Sequence, residues 1–330
     1  MQVEFHPKGI FLPEIGLWLD CLEDCGVNWI SHGHSDHARG CHGVVFGTAE
    51  TLRVYRERMW ADPPQEPDRR SVAFGESWEF GGARLTAYPA SHIVGAAQLL
   101  VEWRGQRLVY TGDIKLRPSI CGRATEVVPC DRLIVESTFG LPIYHFLSAE
   151  EAKARIVRFA RETLNANMIP AFAGYPLGRG QEIAYALCQA GIPTAIHGSI
   201  ARFVPVYEEV GYAFPGWEPY VSRKTEGKAV VVVPGFRKIL EASEKNYRVA
   251  YVSGWAAMDN ARTRAGAEEL IPYSDHADFE ELLALVDGSG AREVDVVHGY
   301  TEVFAHILRE RGFDARAPRE AAARAGSEEG

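Results

Sequence analysis

One hexapeptide constrains this chain more than any other feature. His32-Gly33-His34-Ser35-Asp36-His37 packs three imidazoles and a carboxylate into six residues. It follows Val27-Asn28-Trp29-Ile30, which reads as a buried strand, so the ligand types fall on the loop leaving that strand's carboxyl end. Side chains on such a loop can converge on one point from several directions. His32 and His34 are two apart and point the same way if the extended run continues through them, which suits two ligands of one metal. Asp36 and His37 come after the turn, in place for a second metal beside the first. Four clustered ligand types of mixed hardness at the end of an apolar strand have no packing role.

The 330 residues, 46% hydrophobic, hold ample apolar material for one large domain or two interleaved ones. The start, Met1-Gln2-Val3-Glu4-Phe5-His6, has no basic region followed by an apolar one, and no window approaches the ~18 apolar residues that would span a bilayer. A cytoplasmic location without a membrane partner is expected. Cys21, Cys25, Cys41, Cys121, Cys130 and Cys188 lack the tight pairing of a zinc knuckle and read as free thiols. The net charge of −9 excludes a protein that grips nucleic acid by its global field, but not a nuclease. Metal ions supply local positive charge, and ligand carboxylates inflate the acidic count. Arg39, Lys115, Arg117 and Arg179 are basic residues in places that count as a set.

The first third reads as short strands: Gly9 to Asp20, Val44 to Gly47, Ser77 to Phe80, Arg84 to Tyr88, Gln98 to Trp103, Leu108 to Tyr110 and Leu133 to Val135, with one helix from about Thr48 to Met59. Asp20, His92 and Asp113 each follow such a run. From Ser148 the rhythm changes. Ser148-Ala149-Glu150-Glu151 is a capping-box pattern opening a helix to about Leu164. Strands at Met168 to Ala173, Thr194 to His197, Ala229 to Val233 and Val249 to Ser253 then alternate with helices from Gln181, Ile200 and Phe236, which implies a parallel sheet covered by helices. Each strand ends in a glycine turn, and such turns near Arg179, Ser199 and Ser253 present backbone N–H groups to phosphates. Ligand types return in Tyr273-Ser274-Asp275-His276-Ala277-Asp278, ahead of a helix to about Val286, and in Val294-Asp295-Val296-Val297-His298-Gly299. A helix from Thr301 to Arg311 follows, and the tail from Arg316 has no apolar pattern and is expected to be poorly ordered.

In this order and spacing the motifs resemble those of the β-CASP nucleases of the metallo-β-lactamase superfamily, in particular the bacterial DNA-ligase-associated exonucleases, from about Gly9 to Ala315. The resemblance implies an α/β fold. Residues 1–143 and 270–315 would form an αββα sandwich, residues 144–269 an inserted β-CASP-like domain walling the metal cleft, and 316–330 the tail. It further implies that His32, His34 and His92 bind one zinc, that Asp36, His37 and His298 bind another, and that Asp113 bridges them. Asp20 would be the supporting acid, Glu136 the acid that orients a metal-ligand histidine, and His276 the general acid. Asp36 has an alternative role as proton acceptor.

Two divalent ions, zinc with manganese as the alternative, ~3.5–4 Å apart would clamp a phosphodiester. Lys115, Arg179, Ser199 and Ser253 would contact the substrate. The expected activity is exonucleolytic trimming of single-stranded DNA ends in DNA repair, in functional association with a DNA ligase and a helicase. An RNA-processing ribonuclease stays open, because a histidine at the position of His298 is typical of the RNA branch of the family. A small-molecule metallo-hydrolase is disfavoured by the cassette from about Leu141 to Ala265 and by His276 and His298. A non-catalytic scaffold is disfavoured by the full set of ligand types.

Overall fold

Alternation builds the first layer. In the computed structural model, which describes residues 1–58, 66–236, 240 and 245–319, β1 (Glu4–His6), β2 (Gly9–Leu12) and β3 (Leu17–Leu19) form an antiparallel meander. Ile10, Leu12, Leu17 and Leu19 turn inward, while Phe11 and Trp18 stack on the opposite face with ring centroids 4.7 Å apart. The apolar run from Gly9 to Asp20 is therefore two strands. It folds back over residues 13–16, where Gly16 takes a φ of 69° that side chains resist. β4 (Val27–Trp29), β5 (Val44–Gly47) and β6 (Asp68–Ser71) add in parallel to complete a six-stranded sheet. Helix α1 (Ala49–Arg58) covers it through Leu52 and Tyr55, which meet Ile30, Ala38 and Val45. Met59, the expected last residue of this helix, lies outside the described residues.

The second sheet begins with the antiparallel strands β7 (Ser77–Phe80), β8 (Ala83–Pro89), β9 (Ala97–Trp103) and β10 (Gln106–Tyr110), and continues in parallel through β11 (Arg132–Ser137). Leu12, Leu17 and Trp29 of the first sheet share one core with Leu85, Leu99, Val101, Leu108 and Ile134 of the second.

The chain then makes its inserted unit. Helix α2 (Ala149–Asn165) has the expected capping box, in which the Ser148 side chain accepts from Glu151 N–H and Glu151 from Ser148 N–H. There follow β12 (Ile169–Ala173), α3 (Arg179–Gln189), β13 (Thr194–Ile196), α4 (Gly198–Ala201), α5 (Val204–Glu209), β14 (Trp217–Pro219), β15 (Ala229–Val232), β16 (Tyr247–Val252), α6 (Ala261–Ala265) and β17 (Glu269–Ile271). The strands lie in the order 14-13-15-12-16-17, all parallel. The single helix expected from Ile200 is two short ones, because Pro205 has no N–H to donate and fits only in a first turn. The helix expected from Phe236 runs into residues outside the described set.

Helix α7 (Phe279–Ser289), β18 (Glu293–Gly299), α8 (Thr301–Glu310) and β19 (Asp314–Arg316) complete the second sheet, with β18 and β19 parallel to β11. Phe279 and Phe304 join the two helices over its outer face, at 6.1 Å between rings. The layers of this first unit are thus helix, sheet, sheet, helix. Arg316, the expected start of the tail, closes β19 and ion-pairs with Glu293 at 2.6 Å, and residues 320–330 lie outside the described set. The strands β6, β14, β17 and β19, which have no strand-like sequence period, are short edge or near-edge segments defined by pairing alone.

By contact the chain divides into one unit of Met1–Arg117, Arg123–Ile143 and the chain from His276 onward, and another of Pro118–Gly122 and Tyr144–Asp275. All six cysteines are free thiols. Among the described residues no helix is long and apolar enough to cross a membrane.

Candidate metal centre

Strand direction gathers the ligand types. β8, β10, β11 and β18 all run the same way, since β8 and β10 are each antiparallel to β9 and the other two are parallel to β10. Their carboxyl ends therefore share one edge, and they carry His92, Asp113, Glu136 and His298. In the facing sheet β3 and β4 are parallel, so Asp20 and the His32 loop also leave together. The strand before that loop ends at Trp29, and a turn closed by His37 N–H and Ala38 N–H on the His34 carbonyl replaces the extended run. His32 and His34 still converge across a bent stretch of chain, with rings 4.8 Å apart.

Donor atoms of His32, His34, His92 and Asp113, all four residues buried, lie within 4.8 Å of one another. The His34 Nδ1 and His92 Nε2 atoms face each other at 3.0 Å. A single oxygen of Asp113, Oδ2, lies 3.4 Å from His32 Nε2, 3.4 Å from His37 Nε2 and 3.7 Å from His92 Nε2. That oxygen thus faces nitrogens of three imidazoles, and the His32 and His37 rings are 4.1 Å apart. His37 also approaches Asp36 Oδ2 at 3.7 Å and the His298 ring at 5.1 Å.

Hydrogen bonds set the tautomers. His37 Nδ1 donates to Asp20 Oδ2 at 2.7 Å, which leaves Nε2 facing Asp113. Ser31 Oγ donates to Asp20 Oδ2 at 2.6 Å and accepts from His32 Nδ1 at 3.0 Å, so His32 also presents Nε2. That Nε2 is fully buried and makes no hydrogen bond. A buried lone pair without a donor, ringed by imidazoles and a carboxylate, is the environment a divalent cation satisfies. The charges agree. Burial pushes His32 well below the ordinary imidazole range, and His37, His92, His34 and His276 push it further, which keeps it neutral as a ligand must be. Burial opposes the charged form of His37 too, yet Asp113, Asp36 and Asp20 raise it to about 10. This is the mark of a carboxylate cluster that wants a cation. Against its own burial Asp36 is held far below the carboxylate range by His37, His34 and His298.

No known family model matches this chain. A protein named "Probable DNA ligase" from Opitutus terrae is 33% identical over 316 residues, covering 93% of this chain and 30% of that protein. Endoribonuclease YSH1 of Eremothecium gossypii is 30% identical over 201 residues, covering 49% of this chain and 25% of the relative. Cleavage and polyadenylation specificity factor 73 of Drosophila melanogaster is 28% identical over 200 residues, covering 50% and 28%. The chain thus spans less than a third of the length of these relatives. The crystal structure of a protein of unknown function from Enterococcus faecalis V583 superposes with a TM-score of 0.62 at 15% identity, over 89% of this chain and 80% of that one, a likeness of fold alone. This chain belongs to the β-CASP branch of the metallo-β-lactamase superfamily.

In this β-CASP protein Glu136 does not hold a histidine of the expected ligand set. Its carboxylate receives His276 Nδ1 at 2.9 and 3.0 Å, the Ile114 N–H at 2.8 Å and the Thr138 N–H at 3.2 Å. Burial would raise Glu136, and the His276 beside it lowers it instead, so the carboxylate stays ionised. His276 then presents Nε2, and its ring lies 4.5 Å from that of His92. Arg179, expected at the substrate, is 2% exposed and engaged with Glu182, with Asp275 at 3.3 Å and with the face of Tyr273 at 4.2 Å. Lys115 is likewise 2% exposed. A sequence shows a basic residue in a turn; the carboxylates around Arg179 and the burial of both residues come from the tertiary structure. Ser199 Oγ bonds His197 Nδ1 at 2.7 Å, and Ser253 Oγ accepts from Trp255 N–H at 3.2 Å. Sequence reasoning misses Ser31 and Tyr110, whose hydroxyls both serve Asp20, the latter at 2.7 Å. Ser31 had a signal in its place beside the histidine run, and Tyr110 had none.

Proposed function

We propose that this chain is a metal-dependent nuclease that hydrolyses phosphodiester bonds and trims single-stranded DNA ends. The observation that carries the reading is one oxygen of Asp113, Oδ2, within 3.4–3.7 Å of ring nitrogens of His32, His37 and His92, beside the Glu136–His276 couple. His32, His34 and His92 would hold one divalent ion and Asp36, His37 and His298 a second, with Asp113 shared; zinc suits this donor set, with manganese as the alternative. Such ions supply Lewis acidity toward a phosphate and a nucleophile at neutral pH. Asp20 keeps His37 in the Nε2-presenting tautomer, and Ser31 relays the same constraint to His32. Glu136 does this for His276, whose Nε2 is left to protonate the leaving oxygen. Ser199 and Ser253 remain candidates for the nucleic-acid backbone.

DNA is favoured because nearly the whole chain aligns within a protein named as a probable DNA ligase, which also supports association with a ligase activity that needs clean ends. RNA is the second reading, favoured by relatives named endoribonucleases and by the His298 ring beside His37. The test offers matched DNA and RNA oligonucleotides, labelled at either end, to protein loaded with zinc or manganese. Shortening of DNA from one labelled end is expected, and robust RNA degradation without DNA degradation overturns the choice. His34→Ala should lower the bound metal measured by elemental analysis and abolish turnover. Unchanged metal and activity in that variant would sink the reading.

A further inference from the structure

We infer that Arg117, 40% exposed and at the end of the segment that begins at Asp113, is a positioning residue for His276, an inference that rests on the nuclease reading above. The segment that starts at Asp113 is tied to four parts of the site in five residues. Ile114 N–H donates to Glu136 Oε1 at 2.8 Å, and the Ile114 carbonyl accepts from Ala277 N–H at 2.7 Å. Lys115 N–H donates to the carbonyl of Ala90, two residues before His92, at 2.9 Å. Arg117 closes the segment. Its guanidinium bonds Asp278 and reaches Glu281 Oε2 at 3.0 Å, and its own N–H donates to Glu281 Oε1.

Asp278 and Glu281 are the two side chains of the capping box that starts helix α7, and each is bonded to the other's N–H at 3.1 Å. The box begins two residues after His276. Both carboxylates are nearly buried, 5% and 6% exposed, so a cation is needed to hold them there. Arg117 thus pins the start of α7 to the same segment that carries Asp113 and orders Glu136. His276 is held between two fixed points, Glu136 through its ring and Ala277 to Glu281 through its backbone. Freed of Arg117, the helix start could drift while Glu136 stays, and the imidazole would lose the orientation that points Nε2 toward the His92 side. The competing reading of a half-exposed arginine beside a metal cluster is direct contact with substrate phosphate. The two carboxylates already on its guanidinium oppose that reading.

The test is a double-mutant cycle on the full chain loaded with zinc, using Arg117→Ala, Arg117→Lys and His276→Ala, alone and combined, with metal content measured for each. Arg117→Ala should lower kcat roughly tenfold, part of the ~10²–10⁴ that a positioned acid supplies, with KM and metal content unchanged. In the His276→Ala background it should cost nothing further. Arg117→Lys should recover part of the loss, since an ammonium keeps the charge but, on a shorter side chain, not the reach to both carboxylates. An equal loss in both backgrounds, or a raised KM at constant kcat, overturns the inference. A variant that melts too low to assay is replaced by Glu281→Gln, which keeps the capping bond and removes the charge that Arg117 holds.

Turnover is not the sole readout. The Nδ1–H proton of His276 on Glu136 should give a downfield NMR signal that broadens or exchanges faster in Arg117→Ala, and an unchanged signal overturns the inference. Failure of the wild type to cut any nucleic acid would remove the nuclease reading, while the NMR signal would still decide whether Arg117 holds His276.

Discussion

Asp20 accepts four hydrogen bonds on two oxygens, from Ser31 N–H at 2.7 Å, Ser31 Oγ at 2.6 Å, His37 Nδ1 at 2.7 Å and Tyr110 Oη at 2.7 Å. It does so fully buried and with a φ of 47°, and Ser91 and His298 beside the same cluster also have positive φ. Strain of this kind concentrates where the surroundings over-determine a residue for a task. His37 and Ser31 hold the Asp20 carboxyl below its usual range in spite of burial. Replacing it by Asn leaves one acceptor oxygen, and sets an amide N–H against donors. Asp20→Asn should cost about 2–4 kcal/mol of stability by chemical denaturation and weaken metal binding roughly 10–100-fold. A variant that matches wild type in both would refute the supporting role. The position of Asp20 after Leu17-Trp18-Leu19 is legible along the chain. Its partnership with Tyr110, ninety residues away, is not, because nothing local distinguishes a hydroxyl that ends on a carboxylate from one that ends in water.

Elements bring side chains to the site by their endings more than by their bodies. The parallel pair β11 and β18 keeps register as far as Glu136 opposite Val297, then slips so that Ser137 faces Gly299. His298 is the extra residue of this bulge. A bulge re-aims a side chain, and here it turns an imidazole out of the ladder toward His37. Gly299 makes the slip feasible: at a φ of 70°, a Cβ there would lie 2.3 Å from the Ser137 carbonyl oxygen. Gly299→Ala should therefore destabilise the protein by roughly 3 kcal/mol or more and weaken the metal site proposed at His298. A melting temperature within a degree of wild type would contradict this. The strand carrying His298 is readable from Val294-Asp295-Val296-Val297, and so is the capping box at Ser148. The bulge is not readable, because register depends on the partner strand. The same holds for β6 and β19, whose Asp-Arg-Arg-Ser and Asp-Ala-Arg sequences become strands only because a neighbouring edge offers unpaired N–H and C=O groups.

At the scale of the molecule, the proposed ligands all lie in the unit that contains the two facing sheets, and the inserted unit has its own parallel sheet and core around Ile169, Ala171, Val230 and Val232. Burying so many imidazoles and carboxylates together is costly without a cation, so metal should stabilise the first unit selectively. Removing metal with a chelator should lower its melting transition and speed its proteolysis. At free metal about 100 times Kd the loss is about 2.7 kcal/mol. Cleavage sites between residues 144 and 275 should keep their protection, and equal loss in both units would count against a site confined to the first.

Spacing along the chain was enough to determine the ligand types, their order, the change from strands to a βα rhythm at Ser148 and the superfamily, because short-range pattern and motif chemistry are properties of neighbours in sequence. Tertiary structure alone decided that one oxygen of Asp113 faces three imidazoles, that Glu136 holds His276, that Arg179 is spent on Glu182 and Asp275, and that Arg117 pins the helix start beyond His276. These are pairings over distances of up to 164 residues. Which of several carboxylates meets a given cation is settled by strand order, register and burial, and none of the three is written in the local run of residues.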